Sequence, residues 1–198
     1  MDLLKRIRIY FFILSNRIRL KVDKRITVNG KVNILGKISL DIRKGGKLIL
    51  GNNINIISGM FLNPLGRNIR SLIRADNGAC ITLGDNVGIS NTCIWSKERI
   101  VIEDNVKIGA DCLIMDSDMH ALDYRLRKNR ETDAVNAASR PILIQEDAFI
   151  GTRVIITKGV TVGARSIIAA GSVVKNSVPP DEIWGGNPAE FIKKLVNE

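Results

Sequence analysis

The sequence predicts an all-β fold, a left-handed parallel β-helix built from six-residue repeats, on the strength of two periodic patterns. Aliphatic residues recur at every sixth position in the second half of the chain: Ile144, Ile150, Ile156, Val162, Ile168 and Val174. Small or apolar residues recur at the same period two places earlier: Ile142, Ala148, Val154, Val160, Ser166, Ser172 and Val178. This period fits neither a helix nor a simple half-buried strand. It fits a triangular coil, in which each flat side is a short strand with one large aliphatic side chain turned inward.

The residues between the aliphatics suit the corners of such a coil. Gly, Asn and Asp tolerate the left-handed backbone angles of tight turns, and they occur in three runs: Gly84-Asp85-Asn86, Glu103-Asp104-Asn105 and Glu146-Asp147. The six-residue period also continues upstream in shorter sets: Ile102, Ile108 and Ile114; Leu83, Ile89 and Trp95; Leu50, Ile56 and Leu62; Val28, Ile34 and Leu40. Aromatic residues make up only 5% of the chain, so Ile, Val and Leu must fill the core.

The period is interrupted twice. It slips by one residue between Trp95 and Ile102, which predicts a slightly longer turn. The larger interruption, residues 116–140, is polar, contains Tyr124 and several Arg and Lys, and shows no six-residue period. We expect it to leave the coil as an external loop, and long excursions from a regular scaffold are usually functional.

Both ends of the chain depart from the repeat. The repeat stops at Pro179-Pro180, and residues 189–196 are predicted to form a short helix, since Pro188 suits an early helical position. We therefore divide the chain into a basic amphipathic segment (1–25), the β-helix domain (26–180) and a C-terminal segment with its helix (181–198).

The N-terminal segment carries much of the positive charge. Residues 1–25 contribute +6 of the formal charge of +10, and apolar residues follow a helical spacing: Leu3, Leu4, Ile7, Phe11, Leu14 and Ile18. Two interpretations stay open: the helix packs on a neighbouring subunit or caps the coil, or it rests on an anionic membrane surface. The apolar run 9–14 is too short to span a bilayer, and we expect no signal peptide. No nucleic-acid-binding module is visible, so we expect no nucleic-acid partner.

The three cysteines, Cys80, Cys93 and Cys112, are odd in number and lack chelating spacing. We interpret them as buried free thiols, which fits a reducing cytoplasm, and we expect no metal site because the chain has a single histidine. The expected location is the cytoplasm, with peripheral contact at the inner face of the plasma membrane as an alternative.

That histidine, His120, is the candidate catalytic base. It follows the point where the chain leaves the predicted coil, in Asp116-Ser117-Asp118-Met119-His120-Ala121-Leu122-Asp123. Histidine is the natural general base near neutral pH, and a carboxylate bonded to one ring nitrogen leaves the other free to take a proton. Asp118 and Asp123 are both candidates for that carboxylate.

Several of these segments resemble the hexapeptide-repeat acyltransferases. The hexads carry the similarity together with the segment around His120, Phe149-Ile150-Gly151, the run Ala169–Val174 and Gly186-Asn187-Pro188-Ala189. The similarity is greatest to the branch with galactoside and maltose acetyltransferases and the O-acetyltransferases of capsule and lipopolysaccharide synthesis. It extends from about residue 80 to 195, is carried only by the period from 26 to 80, and does not include the first 25 residues.

The resemblance implies roles for particular residues. His120 matches the family's catalytic histidine, with Asp118 in its motif, and Asn91 matches an asparagine near the acceptor site. Acetyl-CoA, as co-substrate, is implied to lie in a groove between the subunits of a homotrimer. Its binding residues are implied to be Phe149 where tryptophan is commoner, Gly151, Thr152 and Ala170 at the pantetheine arm, and Lys175, Lys193 and Lys194 near the phosphates. For the three lysines, plain surface exposure is the alternative.

The function that the resemblance implies is acetyl transfer from acetyl-CoA to a hydroxyl of a saccharide, during surface-polysaccharide biosynthesis, by direct attack with His120 as general base. Three alternatives stay open: an N-acetyltransferase on an amino sugar nucleotide, a xenobiotic acetyltransferase, and a non-catalytic β-helix that binds a ligand. A γ-class carbonic anhydrase has the same coil but needs three zinc-binding histidines, so the single histidine excludes it.

Overall fold

The chain forms a three-sided coil of parallel strands in the computed structural model, which describes residues 3–59, 62, 63, 65 and 69–195. It passes from side A to side B to side C and then begins the next turn, so each side is a sheet of stacked strands. Sheet A contains β1 (Ile26–Val28), β4 (Lys47–Leu50), β7 (Cys80–Leu83), β10 (Arg99–Ile102), β13 (Ile142–Ile144) and β16 (Thr161–Val162). Sheet B contains β2 (Val32–Leu35), β5 (Ile54–Ile57), β8 (Gly88–Ser90), β11 (Lys107–Ile108), β14 (Phe149–Ile150), β17 (Ile167–Ile168), β19 (Glu182–Gly186) and β20 (Ala189–Lys194). Sheet C contains β3 (Ser39–Ile42), β6 (Leu72–Ala75), β9 (Cys93–Ser96), β12 (Leu113–Met115), β15 (Ile155–Ile156) and β18 (Val173–Val174).

The predicted hexads form the core. All six aliphatics from Ile144 to Val174 are at most 1% exposed, and residues 18 apart stack directly, as Ile144 does on Val162 and Ile150 on Ile168. The prediction of a parallel β-helix is therefore confirmed for the fold.

The three edges of the coil are made by residues in left-handed turns. At the AB edge, between sheets A and B, Asn53, Asn86 and Asn105 have φ of 56–61°. Their side chains form a ladder, with amide groups donating to the next carbonyl oxygen at 2.9 and 3.0 Å. The BC edge has Asn91, Asp111, Arg153 and Gly171 at positive φ, and the CA edge has Gly45, Gly78 and Gly159. Asn and Gly are favoured at such positions because they enter this region at least cost.

Three predicted core positions differ in the structure, and the first of them, Val28, is 38% exposed in the first turn. Ile94 rather than Trp95 points into the core, because the chain shortens by one residue at the turn after β8; Trp95 lies outside, its ring stacked under the Arg74 guanidinium at 4.3 Å. Leu62 lies outside any strand, and Ile73 of β6 fills the inward position of that side instead. The segment between β5 and β6 thus forms a first excursion that was not predicted, and its described residues are 58, 59, 62, 63, 65 and 69–71.

The predicted C-terminal helix is wrong over its described part. Residues 189–194 form β20, which pairs antiparallel with β19, itself paired in parallel with β17. The last turn of a coil leaves an edge of unpaired N–H and C=O groups, and β20 satisfies those of β19. Val196, the end of the predicted helix, lies outside the described residues.

The N-terminal segment forms one helix, α1 (Leu3–Val22), packed at the first turn of the coil against β1 and β2. Two short helices, α2 (Tyr124–Arg127) and α3 (Arg130–Asn136), lie in the second excursion, between β12 and β13. In the part of the chain that the structure describes, no helix combines the length and apolar character needed to cross a membrane.

Candidate active site

The second excursion, in the segment 116–140 that lacks the six-residue period, leaves the coil at the CA edge, between β12 and β13, and is closed at its base. Ser117 bridges Ser139, the N–H of Asp118 donates to the Ala138 carbonyl at 3.0 Å, and the N–H of Arg140 donates to the Asp116 carbonyl at 2.9 Å. These contacts bring the outgoing and returning chain together, so the excursion is a loop with a fixed base.

Asp116 anchors this base to the coil. Its side chain is fully buried and accepts hydrogen bonds from the Ser96 hydroxyl at 2.6 Å and from three successive N–H groups, those of residues 97–99, at 2.7–2.9 Å. One carboxylate thus satisfies the donors of the turn between β9 and β10. The sequence analysis named Asp116 only as the first residue of the segment around His120 and did not predict this role.

His120 lies beyond this anchor and is held by a carboxylate. Its Nδ1 lies 2.7 Å from Oδ2 of Asp133, and the other oxygen of Asp133 accepts from the Ala121 N–H at 2.7 Å. The preceding residue, Met119, has φ of 65°. The His120 side chain is 69% exposed, so the ring is oriented by its partner and still open to substrate.

The ionisation of Asp133 matches this geometry. The hydrogen bond with His120, and after it the bond from the Ala121 N–H, holds the pKa of the Asp133 carboxyl below its ordinary value. Asp133 is therefore a carboxylate at neutral pH. A carboxylate accepts a hydrogen bond from the Nδ1–H of the neutral ring, and in that tautomer Nε2 carries no proton.

Neither carboxylate that the sequence suggested as the partner of His120 holds this position. Asp118 pairs with Lys158 at 2.5 Å, and Asp123 caps α2 and pairs with Arg125 at 2.7 Å. Asp133 lies thirteen residues after His120 and reaches it because α3 turns the chain back. The signal that could have found it is the helix start, where Asn129 accepts from two N–H groups as an N-cap.

Asn91 lies at a different edge from His120. It is fully buried at the BC edge, where Oδ1 accepts from the Gly59 N–H at 2.6 Å and Nδ2 donates to the Asn63 carbonyl at 2.8 Å. Both functional groups thus hold the first excursion. The acceptor-site role implied for Asn91 stays a prediction.

The residues implied in coenzyme binding are divided between edges. Gly151, Thr152 and Ala170 follow strands of sheet B and lie at the BC edge, and Phe149 is 47% exposed on the outer face of sheet B. Lys193 and Lys194 are exposed on β20, which extends the same sheet. Lys175 instead follows β18 and lies at the CA edge, as His120 does. Within one chain, sheet C therefore lies between the CA edge, where the loop of His120 leaves the coil, and the BC edge, where Gly151, Thr152 and Ala170 lie.

Comparison with known proteins agrees with this architecture. A family model described as bacterial transferase hexapeptide (six repeats) matches residues 141–176. The crystal structure of a hexapeptide-repeat acetyltransferase from Vibrio cholerae, complexed with acetyl coenzyme A, is 31% identical with a TM-score of 0.54 and covers 78% of this chain and 73% of that one. The chain belongs to the hexapeptide-repeat acetyltransferase family.

Two curated relatives of this family member add detail. A Saccharomyces cerevisiae protein with a provisional acetyltransferase name is 31% identical over 80% of this chain and 85% of its own length. Galactoside O-acetyltransferase of Escherichia coli is 34% identical over 60% of this chain. The chain spans little more than half the length of several curated relatives that it matches, 56% in the galactoside enzyme.

Two of the three cysteines of this hexapeptide-repeat protein, Cys93 and Cys112, are poor nucleophiles. Cys80 and Cys93 are half-buried rather than buried as predicted. Cys112 is buried, and burial raises the pKa of its thiol to about 11. Burial also raises the pKa of the Cys93 thiol. Since the thiolate is the reactive form of cysteine, neither side chain is set up to carry a covalent acetyl group.

Proposed function

We propose that this protein is an acetyltransferase that transfers the acetyl group of acetyl-CoA to a hydroxyl group of a saccharide. The observation that carries the proposal is the pairing of the exposed ring of His120 with Asp133 at 2.7 Å, on a loop with a fixed base. Acetyl transfer needs a base oriented in this way, because a sugar hydroxyl is a weak nucleophile until its proton is removed.

The proposed mechanism is direct transfer within a ternary complex. Asp133 accepts a hydrogen bond from the Nδ1–H of His120, and Nε2 of His120 takes the proton of the acceptor hydroxyl as the hydroxyl oxygen attacks the thioester carbonyl. An O–C bond forms, the C–S bond breaks, and the imidazolium returns the proton to the departing coenzyme A thiolate. Asp133 stabilises the transient imidazolium, as the carboxylate of a catalytic triad does. The raised thiol pKa values of Cys93 and Cys112 favour this route over an acetylated cysteine.

The BC edge offers suitable donors for acetyl-CoA. Among the described residues, the N–H groups of Thr152 and Ala170 have no hydrogen-bond acceptor within the chain, so they are available to the amide carbonyls of a pantetheine arm. A Cβ atom at Gly151 would lie 2.6 Å from the Ala170 nitrogen, so this glycine allows the turns to stack closely. Lys193 and Lys194 would face the phosphates from β20.

The division of these residues between edges favours a site formed by two subunits. We propose a homotrimer in which the CA edge of one subunit, with His120, faces the BC edge of the next, with Thr152 and Ala170. Closed cyclic assemblies join two different surfaces in this way. The first excursion also leaves the coil at the BC edge, so it would border the acceptor, together with Asn91 beneath it.

The saccharide acceptor is supported by the galactoside O-acetyltransferase among the relatives. The proposed setting is surface-polysaccharide biosynthesis in the cytoplasm. The same base and co-substrate would also serve an amino sugar, so a panel of hydroxyl and amino sugars, with product mass spectrometry, distinguishes O-acetylation from N-acetylation and from acetylation of a xenobiotic.

The first test is the variant His120→Ala. Loss of a general base lowers kcat by roughly 10²–10⁴-fold, whereas acetyl-CoA binding, measured by calorimetry, is expected to persist because His120 is not among the proposed coenzyme contacts. Near-normal turnover of this variant, or an acetylated cysteine trapped in the wild type, would overturn the mechanism. Absence of coenzyme A binding to the wild type would instead favour a non-catalytic β-helix.

Subunit mixing tests the shared site. Ala170→Trp blocks the BC edge and His120→Ala removes the base, so each homo-oligomer is expected to be inactive. Random co-assembly of the two restores about one quarter of the wild-type activity, since one interface in four then combines an intact His120 with an intact BC edge. No recovery in the mixed oligomer would place both halves of the site in one chain.

A further inference from the structure

Helix α1 has two apolar faces, and only one of them contacts the coil. On the inner face, the Asn16 amide donates to the carbonyls of Gly36 at 2.8 Å and of Ile34 at 3.4 Å. Leu20 packs against the hydrophobic core from the same face. This side of the helix closes the first turn of the coil.

The other face is apolar and exposed to solvent. Six side chains are between 52% and 73% exposed: Leu4, Ile7, Phe11, Leu14, Ile18 and Val22. Their spacing of three and four residues places them in one stripe along the helix, and at about 100° per residue this stripe lies roughly opposite Asn16 and Leu20. The stripe from Leu4 to Val22 thus points away from the coil and does not cap it; Leu3 of the predicted stripe lies outside the described side chains.

Basic side chains border this stripe on both sides. Arg8 and Arg19 follow one margin at helical spacing, and Arg6, Arg17 and Lys21 follow the other. The helix contains six Lys or Arg and no Asp or Glu. Arg19 is paired with Asp23 at 3.0 Å, just beyond the helix. The exposed face therefore combines apolar side chains with an almost uniform positive charge.

We propose that α1 lies flat on an anionic lipid bilayer, with the exposed stripe from Leu4 to Val22 inserted at the interface and the bordering Arg and Lys on the lipid headgroups. Apolar stripes flanked by basic residues bind membrane surfaces through buried apolar area and attraction to anionic lipids. Long basic side chains at such margins extend to the headgroups while their methylenes cover apolar surface.

A second copy of the helix is a poorer partner for the same stripe. Residues beside an apolar seam face each other when two helices associate, and here both margins are basic. Association of two α1 helices through the stripe would bring like charges together without an acidic partner on the helix. The charge of a phosphatidylglycerol surface is complementary instead.

Sedimentation of the full chain with lipid vesicles tests this proposal. We expect binding to phosphatidylcholine vesicles containing about 30% phosphatidylglycerol, and binding at least tenfold weaker to pure phosphatidylcholine. The double variant Phe11→Ser/Leu14→Ser is expected to lower the partition coefficient at least tenfold. Arg6→Gln/Arg17→Gln is expected to lower the partition coefficient about tenfold or more, and this decrease is expected to be smaller at high salt.

Matched variants elsewhere separate this effect from a general loss of charge or apolarity. Leu122→Ser/Val135→Ser removes exposed apolar side chains of the second excursion, and Lys44→Gln/Lys128→Gln removes two exposed charges; both are expected to bind vesicles as the wild type does. Thermal unfolding and light scattering check folding and oligomer mass. Equal binding to both kinds of vesicle would overturn the proposal, and so would equal losses of binding in the matched variants. A smaller oligomer after Phe11→Ser/Leu14→Ser would also overturn it, because the stripe would then contact a second copy of the chain.

Discussion

The coil is interrupted twice, and the two excursions are fastened in opposite ways. The first, between β5 and β6, leaves at the BC edge, and its described residues Gly59 and Asn63 are held from the coil by Asn91. The second, residues 116–140, leaves at the CA edge and carries its own fastener, Asp116, which reaches back to the coil. Both side chains are fully buried. In the first case the coil orders the excursion, whereas in the second the excursion completes a turn of the coil.

This difference determines what each buried side chain contributes. Asp116 satisfies three N–H groups of the β9–β10 turn, so the coil itself depends on it. Asn91 satisfies one N–H and one carbonyl of the first excursion, so the stability of the coil depends less on Asn91 than on Asp116. Removing a partner from a buried polar group costs more than the net contribution of a typical hydrogen bond to stability, and the loss grows with the number of groups left without a partner.

The largest effect on stability is expected for Asp116→Ala. It leaves the Ser96 hydroxyl and three N–H groups without their acceptor, which costs about 3–5 kcal/mol in the free energy of unfolding. Urea unfolding measures this loss. Asp116→Asn retains one carbonyl oxygen and the side-chain shape, and is expected to lose less. A loss below about 1 kcal/mol for Asp116→Ala would show that the turn does not depend on this carboxylate.

A smaller effect is expected for Asn91→Ala, about 2–3 kcal/mol, from two lost hydrogen bonds and from alanine in a left-handed backbone. The φ of Asn91 is 41°, a left-handed conformation that glycine adopts without strain. Asn91→Gly is therefore expected to be about 1 kcal/mol more stable to unfolding than Asn91→Ala. Hydrogen exchange at the Gly59 amide is the specific readout, since that N–H donates to Asn91. Faster exchange is expected in both variants, and unchanged exchange would contradict the fastening role.

The fold could be read from the sequence because it repeats. Six aliphatics at one spacing, from Ile144 to Val174, specify a stack of identical turns, and every one of them is buried. The prediction failed where a residue matched the six-residue period by chance, and where the chain no longer followed that period. Leu62 is in phase with Ile56 but lies in the first excursion, and β20 depends on the open edge of β19, which no local signal in residues 189–194 reveals.

The candidate site was predictable only in part, because its partners are distant in sequence. His120 could be singled out from its place at a break in the repeat. Asp133 could not be chosen over Asp118 or Asp123 without knowing that α3 brings it back to His120. The two carboxylates nearer in sequence have other partners: Asp118 pairs with Lys158, and Asp123 caps the start of α2. Proximity in sequence was therefore a poor guide to which carboxylate orients the ring.

The smallest expected effect, and the sharpest test of the second excursion, is Asp133→Asn. The bond with His120 lowers the pKa of the Asp133 carboxyl, so this carboxyl stays ionised below its ordinary pKa of about 3.9. The contact is lost only as the pH falls through the lowered pKa. The orientation of the ring thus persists across the range in which a histidine can act as a base. Because His120 is the only histidine in the chain, a protein labelled with ¹⁵N-histidine reports this ring alone.

We expect the wild-type spectrum to show the proton on Nδ1 and an unprotonated Nε2, whereas the spectrum of Asp133→Asn is expected to show a mixture of the two tautomers. The kcat of Asp133→Asn is expected to be about ten- to a hundredfold lower, with the KM for acetyl-CoA little changed. Asp123→Asn is the control, since Asn also caps a helix and Asp123 does not contact the ring. A role of Asp133 limited to folding the loop would lower stability without moving the tautomer signal. Equal spectra for Asp133→Asn and the wild type would therefore remove Asp133 from the mechanism, while leaving His120 as the base to be tested by its own variant.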